Sequence, residues 1–134
     1  MIKKLWPSLV WALFILLLTG LPGNYFPSVV NFFDWLSPDK VVHLILFGGQ
    51  VFWILFGFRE QYFSGRNRIT IMVSALSIGI VYGLLTEVLQ RYVFIGRSGN
   101  VYDFIADALG AIIGILAFYL LYRKKINRIT VGKD

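Results

Sequence analysis

Four long apolar runs limit what this chain can fold into. They cover approximately residues 5–21, 41–58, 69–90 and 101–122, which together make up most of the 134-residue sequence. A helix that crosses a bilayer needs roughly 20 apolar residues, because the hydrocarbon core is about 30 Å thick. The chain is 57% hydrophobic with a mean hydropathy of +0.71, which leaves too few polar residues to cover a soluble domain. We therefore predict an all-α membrane protein, with four transmembrane helices in a compact bundle that forms one domain over residues 1–134.

The basic residues predict how this bundle is oriented. A net charge of +6 would suggest nucleic acid in a soluble protein, but here the positive charges sort by side. With a cytoplasmic N-terminus, the outer side receives only Lys40, Arg91 and Arg97. An excess of Lys and Arg marks the cytoplasmic side of membrane proteins. We therefore predict that both termini are cytoplasmic and that nucleic acid is not a partner. The basic residues assigned to the cytoplasmic side are Lys3, Lys4, Arg59, Arg66, Arg68, Arg123, Lys124, Lys125, Arg128 and Lys133.

The connecting segments carry further signals. The first outer loop, 22–38, is rich in aromatic residues, and Val29, Phe32, Phe33 and Leu36 have helical spacing. This pattern predicts a short helix lying in the membrane interface. The second loop, 59–68, is short and basic, and we predict a solvated turn there. The absence of cysteine excludes disulfides, thiolate metal sites and cysteine nucleophiles.

Polar residues collect at the outer ends of three of the predicted helices, and each of these helices also carries glycines at mid-depth. A charged side chain facing lipid costs roughly 2.5–3.5 kcal/mol at a helix centre and less near the interface. Small residues let membrane helices approach closely. We therefore expect the three faces to converge on one outward-facing pocket, formed by Asp39, His43, Gln50, Glu87, Gln90, Asp103 and Asp107.

Some of these residues also have plain structural explanations. Asp39 follows Ser37-Pro38 in the first turn of its helix, where a carboxylate favours the helix dipole. Arg91 lies one turn after Glu87 and could neutralise it. Asp103 lies three residues after Asn100, a spacing that resembles a capping box. His43, the single histidine, and Asp107 lie one turn deeper and have no such explanation.

The pocket admits more than one chemistry. Carboxylates with one imidazole suit a divalent cation. Oxygen ligands favour calcium, magnesium or manganese, and one histidine with two carboxylates also suits zinc. The candidate ligands are His43, Glu87, Asp103 and Asp107. His43, poised by Asp39 or Glu87, suits general acid or base catalysis, and Asp107 completes the catalytic candidates. Cationic side chains at the rim suit the phosphate of a lipid headgroup. The substrate-binding candidates are Lys40, Gln50, Gln90, Arg91, Arg97 and Asp103. The residues leave open whether the protein catalyses or only binds, whether it holds a metal, and whether it forms an oligomer.

One ordered set of residues resembles the VanZ-like family of small membrane proteins. The set is Asp39-Lys40-x-x-His43, Glu87-x-x-Gln90, Arg97, Asp103 and Gly110-x-x-x-Gly114, and the resemblance covers about residues 37–115. Asp107 departs from the family pattern, in which asparagine is expected.

The resemblance implies a location and a class of ligand. The family takes its name from an accessory protein of glycopeptide-resistance clusters that is associated with resistance to teicoplanin, which acts on lipid-linked cell-wall precursors at the outer leaflet. It implies a multi-pass protein of the bacterial plasma membrane, whose extracytoplasmic pocket acts on or binds a lipid or lipid-linked envelope component. The rival hypothesis is a non-enzymatic protein whose polar faces are packing or subunit contacts. An ion or proton carrier has less support, because no pair of broken helices is visible.

Overall fold

The computed structural model describes residues 4–22, 38–65, 67–97 and 99–131, and the regular structure of these residues is entirely helical. The helices are α1 (Trp6–Gly20), α2 (Pro38–Gly57), α3 (Arg59–Ser64), α4 (Arg68–Tyr92) and α5 (Val101–Val131). Three of them are long and apolar enough to cross a membrane, namely α2, α4 and the Val101–Arg128 part of α5. Helix α1 is apolar but shorter, with 15 residues and a length of about 22 Å. The all-α prediction is confirmed for the described residues, whereas the predicted interfacial helix lies outside them.

Glycines bring α2 and α5 into backbone contact along the middle of the bundle. A Cβ atom at Gly48 would lie 2.9 Å from the carbonyl oxygen of Gly110. A Cβ atom at Gly110 would meet the backbone of Leu44, and one at Gly114 would meet the backbone of Gly48. Such contacts are the usual basis of close helix packing in lipid, where dispersion rather than the hydrophobic effect drives association. This glycine contact fixes the register of the two helices that carry most of the site.

Helix α4 packs against both of these helices through two further glycines. A Cβ atom at Gly79 would lie 2.6 Å from Cγ2 of Val51, and one at Gly83 would lie 2.9 Å from Cβ of Asp107. The predicted small-residue faces of the three long helices therefore meet one another.

Helix α1 joins the bundle through one face and several hydrogen bonds. Ser8, Ile15 and Thr19 are its buried residues. The indole of Trp11 donates to the carbonyl of Leu46 over 2.8 Å, and the hydroxyl of Tyr82 donates to the carbonyl of Ala12 over 2.6 Å. The few polar residues of this apolar helix therefore mark the face that turns away from lipid.

The second predicted loop contains a helix, so the prediction of a solvated turn is wrong for residues 59–64. Tyr62 and Phe63 of α3 are buried, and their rings pack against Phe118 with centroids 5.3 and 6.2 Å away. Ile126 is buried in the same cluster. This contact also explains why α5 continues to Val131, beyond the predicted end at residue 122. Lys and Arg favour helix, and burial of Ile126 stabilises the extension.

The helices alternate in direction, so the bundle has two distinct ends. At the base, Lys4 forms an ion pair with Glu60, and Tyr62 donates to the sulfur of Met72 over 3.4 Å. The opposite end, called the site end below, contains the end of α1, the start of α2, the end of α4 and the start of α5. Here Nε of Arg97 donates to the carbonyl of Leu21 over 2.9 Å. All the polar residues singled out in the sequence, except Gln50, lie towards this end.

Candidate functional site

Three helices bring His43, Glu87 and Asp107 together beneath the site end. Nδ1 of His43 lies 2.8 Å from Oδ1 of Asp107, a hydrogen bond in which the ring N–H donates to the carboxylate. Oε1 of Glu87 lies 3.9 Å from the same Nδ1. The three residues are 2%, 7% and 0% exposed, so this group, called the deep cluster below, is shielded from the surroundings.

The local structure of each helix explains this convergence. His43 lies on the second turn of α2 and Asp107 on the second turn of α5, and the glycine contact holds these two turns side by side. Glu87 reaches the same depth from the last turns of α4. Gly83, one turn before Glu87, leaves the room that the Asp107 carboxyl occupies, because a Cβ there would lie 3.0 Å from Oδ2.

The start of α5 fixes the orientation of Glu87. The backbone N–H of Asn100 donates to Oε2 of Glu87 over 2.8 Å, which leaves Oε1 facing His43. The Asn100 side chain caps α5 by accepting from the N–H of Tyr102 over 3.0 Å. Half of the predicted capping box is therefore present. The Asn100 side chain caps the helix, but the N–H of Asn100 bonds to Glu87 instead of to Asp103.

Four charged residues form the rim above the deep cluster. Nζ of Lys40 lies 3.7 Å from Oδ1 of Asp103, and Nη1 of Arg97 lies 3.9 Å from Oδ1 of Asp39. The side chains of both pairs are at most about one-third exposed. Lys40–Asp103 joins α2 to α5, and Arg97–Asp39 joins the segment after α4 to α2. They surround a polar cavity of about 240 Å³, called the rim cavity, which is lined by Asp39, Lys40, Gln90, Gly96, Arg97, Asn100 and Asp103.

A second cavity opens sideways between α4 and α5. It also has a volume of about 240 Å³, and most of the side chains around it are apolar. Glu87, Arg91 and Asn100 form its polar part, and Asn100 lines the rim cavity as well. This lateral groove is lined by Leu84, Glu87, Val88, Arg91, Tyr92, Gly99, Asn100, Val101 and Phe104.

The remaining predicted site residues have different surroundings. Gln90 is buried at the rim cavity and donates to the carbonyl of Thr19 over 3.1 Å. Arg91 is exposed, with its guanidinium over the ring of Tyr92, whereas Nδ1 of His43 lies 3.9 Å from the Glu87 carboxyl group. The expectation that Gln50 joins the pocket is not met. It lies two turns deeper than His43, about 10 Å along the helix, and donates to the hydroxyl of Ser8 over 3.1 Å.

Several buried carboxyl oxygens at this end lack a hydrogen-bond donor among the described residues. They are Oε1 of Glu87, Oδ1 of Asp103 and Oδ2 of Asp107. Two groups of side chains place their ligand atoms within 4.8 Å of one another, as a metal site requires. One group is the deep cluster itself, and the other comprises Asp39, His43 and Asp103.

The comparison with protein families decides the identity of this bundle. The VanZ/LLP1 family model matches residues 6–122, which include every residue of the deep cluster and the rim. The chain belongs to the VanZ/LLP1 family. Neither the curated proteins nor the solved structures provide a match.

The site of this VanZ/LLP1 protein includes residues that the sequence reasoning did not assign to it. Thr19 accepts from Gln90 through its carbonyl and lines a cavity of about 20 Å³ beside His43. Asn100 was expected only to cap a helix, yet it orients Glu87 and lines both larger cavities. Thr19 could have been found, because it is one of the few polar residues of the apolar helix α1. Asn100 contacts Glu87 through its backbone N–H, and a backbone contact leaves no signal in the sequence.

Proposed function

We propose that this VanZ/LLP1 protein binds a phosphate-bearing lipid or lipid-linked component of the cell envelope, at the outer leaflet of the bacterial plasma membrane. The observation that carries the proposal is the rim cavity, which places Lys40 and Arg97 directly above the buried His43–Asp107 pair. Cationic side chains in a partly shielded cavity are suited to a phosphate oxygen, because charge-assisted hydrogen bonds are stronger than neutral ones.

The two cavities favour an amphiphilic ligand over a water-soluble one. The rim cavity is polar, whereas the lateral groove is mostly apolar and opens between two membrane-spanning helices. Asn100 lines both, so they adjoin at the start of α5. A lipid whose chain lies in the groove would bring its headgroup past Glu87 and Asn100 to the rim. A soluble phosphate has no apolar chain and would not need the groove.

The charge distribution supports an outward-facing site. Among the described residues, the base contains Lys4, Arg59, Arg68 and the basic residues of 123–128, whereas the site end contains Lys40, Arg91 and Arg97. The positive-inside rule puts the base in the cytoplasm. The site end then meets the outer leaflet, where lipid-linked cell-wall precursors are exposed and where a contribution to teicoplanin tolerance would arise.

His43 is the group best suited to move a proton if the bound component is also modified. Its imidazole is held by Asp107 at Nδ1, which orients the ring and leaves Nε2 for exchange with a ligand. The cavity of about 20 Å³ between His43, Asp39 and Arg97 is large enough for one water molecule. Asp39, Glu87 and Asp107 are proposed to assist by charge and orientation.

Binding of lipids to the purified full-length protein tests this proposal. In nanodiscs, native mass spectrometry should detect a polyprenyl phosphate bound more tightly than the corresponding polyprenol, and more tightly than inorganic phosphate. K40A and R97A should weaken this preference, whereas K124A, a lysine change at the exposed base, should not. Equal binding of the phosphate and the alcohol, or equal behaviour of K40A and K124A, would contradict the proposal.

A cellular test uses the deep cluster. In a host where the protein raises tolerance to teicoplanin, H43A and D107A should abolish the effect while the protein remains abundant in the membrane. Wild-type tolerance in both variants would refute a functional pocket.

A non-enzymatic packing or subunit-contact role is the second candidate, and one observation favours it. The ion pairs Lys40–Asp103 and His43–Asp107 both join α2 to α5, so they serve the bundle even without a ligand. Under this alternative, H43A and D107A would deplete the protein itself from the membrane, and any lipid preference would be unchanged in the residual material.

A further inference from the structure

The deep cluster differs from the rim in how its charges are balanced. At the rim, Asp103 has Lys40 within 4 Å and Asp39 has Arg97 within 4 Å. Beneath it, Glu87 and Asp107 share the single imidazole of His43. When both carboxyl groups are ionised, their negative charge exceeds what one histidine can offset, and uncompensated charge in a membrane span is costly.

Two oxygens of the deep cluster also lack donors. Oε1 of Glu87 and Oδ2 of Asp107 are buried and accept no hydrogen bond from any residue that the structure describes. Burying a carboxylate oxygen without a donor costs free energy, so such oxygens usually have a ligand or water as partner. Since Asn100 fixes the other oxygen of Glu87, the free Oε1 is held towards His43 rather than turned at random.

The distances within the deep cluster are those of a single coordination sphere. Zinc and similar ions bind nitrogen and carboxylate oxygen at about 2.0–2.2 Å, so two ligands of one ion are separated by roughly 3 to 4 Å. Nδ1 of His43 is 2.8 Å from Oδ1 of Asp107 and 3.9 Å from Oε1 of Glu87. Each of the three residues offers one ligand atom within 4.8 Å of a ligand atom of the other two, so the side chains can converge on one ion.

We propose that His43, Glu87 and Asp107 bind one divalent cation of the zinc or manganese class. A dication would neutralise the two carboxylates, and it would take the place of the proton between His43 and Asp107. The imidazole nitrogen favours zinc over calcium and magnesium, which prefer an all-oxygen set, and the two carboxylates also suit manganese. The Asn100 N–H would then act on the metal indirectly, by orienting the Glu87 carboxylate.

The ion ligands lie below the rim, and none of them is Lys40 or Arg97, the two residues on which the proposed preference for a lipid phosphate depends. The two proposals can therefore fail independently. A metal-binding protein with no lipid preference would retain this inference, and a lipid-binding protein without metal would retain the proposed function.

The test measures metal in the purified full-length protein, prepared with an affinity tag free of histidine because the chain contains a single one. After treatment with EDTA and dialysis, the protein is titrated separately with Zn²⁺, Mn²⁺, Mg²⁺ and Ca²⁺. Bound metal is measured by mass spectrometry of the elements, and unfolding temperature by tryptophan fluorescence. We expect about one Zn²⁺ or Mn²⁺ per chain, with a higher unfolding temperature in its presence.

Matched variants decide whether the deep cluster is the binding site. E87Q retains an oxygen that can accept from Asn100 but lacks the carboxylate charge, and it should weaken binding by more than about 100-fold, since loss of an outer-shell group alone costs 10–100-fold. H43A should do the same, while K124A and E60Q, at the opposite end of the bundle, should bind like the wild type. Substoichiometric metal with no change in unfolding temperature would overturn the proposal. Equal binding by E87Q and the wild type, or tighter binding of Mg²⁺ than of Zn²⁺ and Mn²⁺, would also overturn it.

Discussion

Gly83 of α4 lies directly against Asp107 of α5, so closely that a Cβ atom at position 83 would be 2.9 Å from Cβ of Asp107 and 3.0 Å from its Oδ2. The absence of a side chain at one residue therefore makes room for a carboxyl group at another. The deep cluster depends on this complementarity, because Asp107 is completely buried at the contact.

The G83A variant should destabilise the bundle and displace Asp107. Overpacking of a well-packed interior typically lowers the free energy of unfolding by about 1–3 kcal/mol. Unfolding in mixed detergent micelles, monitored by tryptophan fluorescence, measures this decrease. G20A is the matched control, since a Cβ there would lie 3.4 Å from the ring of Phe94, an ordinary contact. A G83A protein as stable as G20A would show that α4 and α5 can separate without cost.

The hydrogen bond between His43 and Asp107 should appear as an energetic coupling. In a double-mutant cycle, H43A and D107A should each destabilise the protein, and their effects should differ from additivity by about 0.5–3 kcal/mol, as for other residues in contact. The control cycle pairs H43A with E60Q at the opposite end, where the effects should add. Additivity within about 0.5 kcal/mol for H43A and D107A would contradict a direct interaction.

The aromatic cluster at the base should support stability without affecting the site. Phe118 is fully buried and its ring packs against Phe52, Tyr62, Phe63 and Tyr122. F118A should cost about 3–5 kcal/mol, the usual range for loss of a buried phenylalanine. L120A, two residues on at an exposed position, is the control. Metal and lipid binding by the folded fraction of F118A should equal that of the wild type, and a loss of either would mean that the two ends of the bundle are coupled.

The ion pair at the base predicts a pH effect of known sign. A hydrogen bond and the charge of Lys4 lower the pKa of Glu60 below its ordinary value. A lowered pKa in the folded state contributes stability above the ordinary pKa, and this contribution disappears as the pH falls through the lowered value. The contribution should be small, because both side chains are largely exposed. In K4M the pKa of Glu60 should rise towards its ordinary value, as followed by NMR of labelled glutamate, and an unchanged pKa would contradict the pairing.

The convergence of His43, Glu87 and Asp107 could be predicted because two independent signals agreed. Helical spacing put Glu87 and Asp107 each on the same face as a pair of glycines, and the helix of His43 carries two glycines at mid-depth. Polar groups and glycines both avoid lipid. With three helices obeying the same rule, only one arrangement buries all the faces together. The structure shows this arrangement, while the chemical roles of the three residues stay predictions.

Other features depend on neighbours that no local pattern specifies. Gln50 has the spacing of the deep-cluster face, but the hydroxyl of Ser8 on α1 provides a partner at its own depth. Arg91 is one turn from Glu87, yet Asn100 and His43 occupy the positions around that carboxyl group. Tyr62 and Phe63 stand in a segment with the composition of a polar loop, and only their contact with Phe118 makes them interior residues.

The backbone contact between Gly48 and Gly114 restricts how a protein of this shape can acquire a new ligand. Any larger residue at these positions would push α2 and α5 apart, and it would separate His43 from Asp107 and Lys40 from Asp103 in the same step. Changes in ligand preference should therefore arise in segments that border the cavities outside this glycine contact, such as residues 93–97. The packing of α2 against α5 is therefore fixed, and changes in ligand preference are confined to the residues around the cavities.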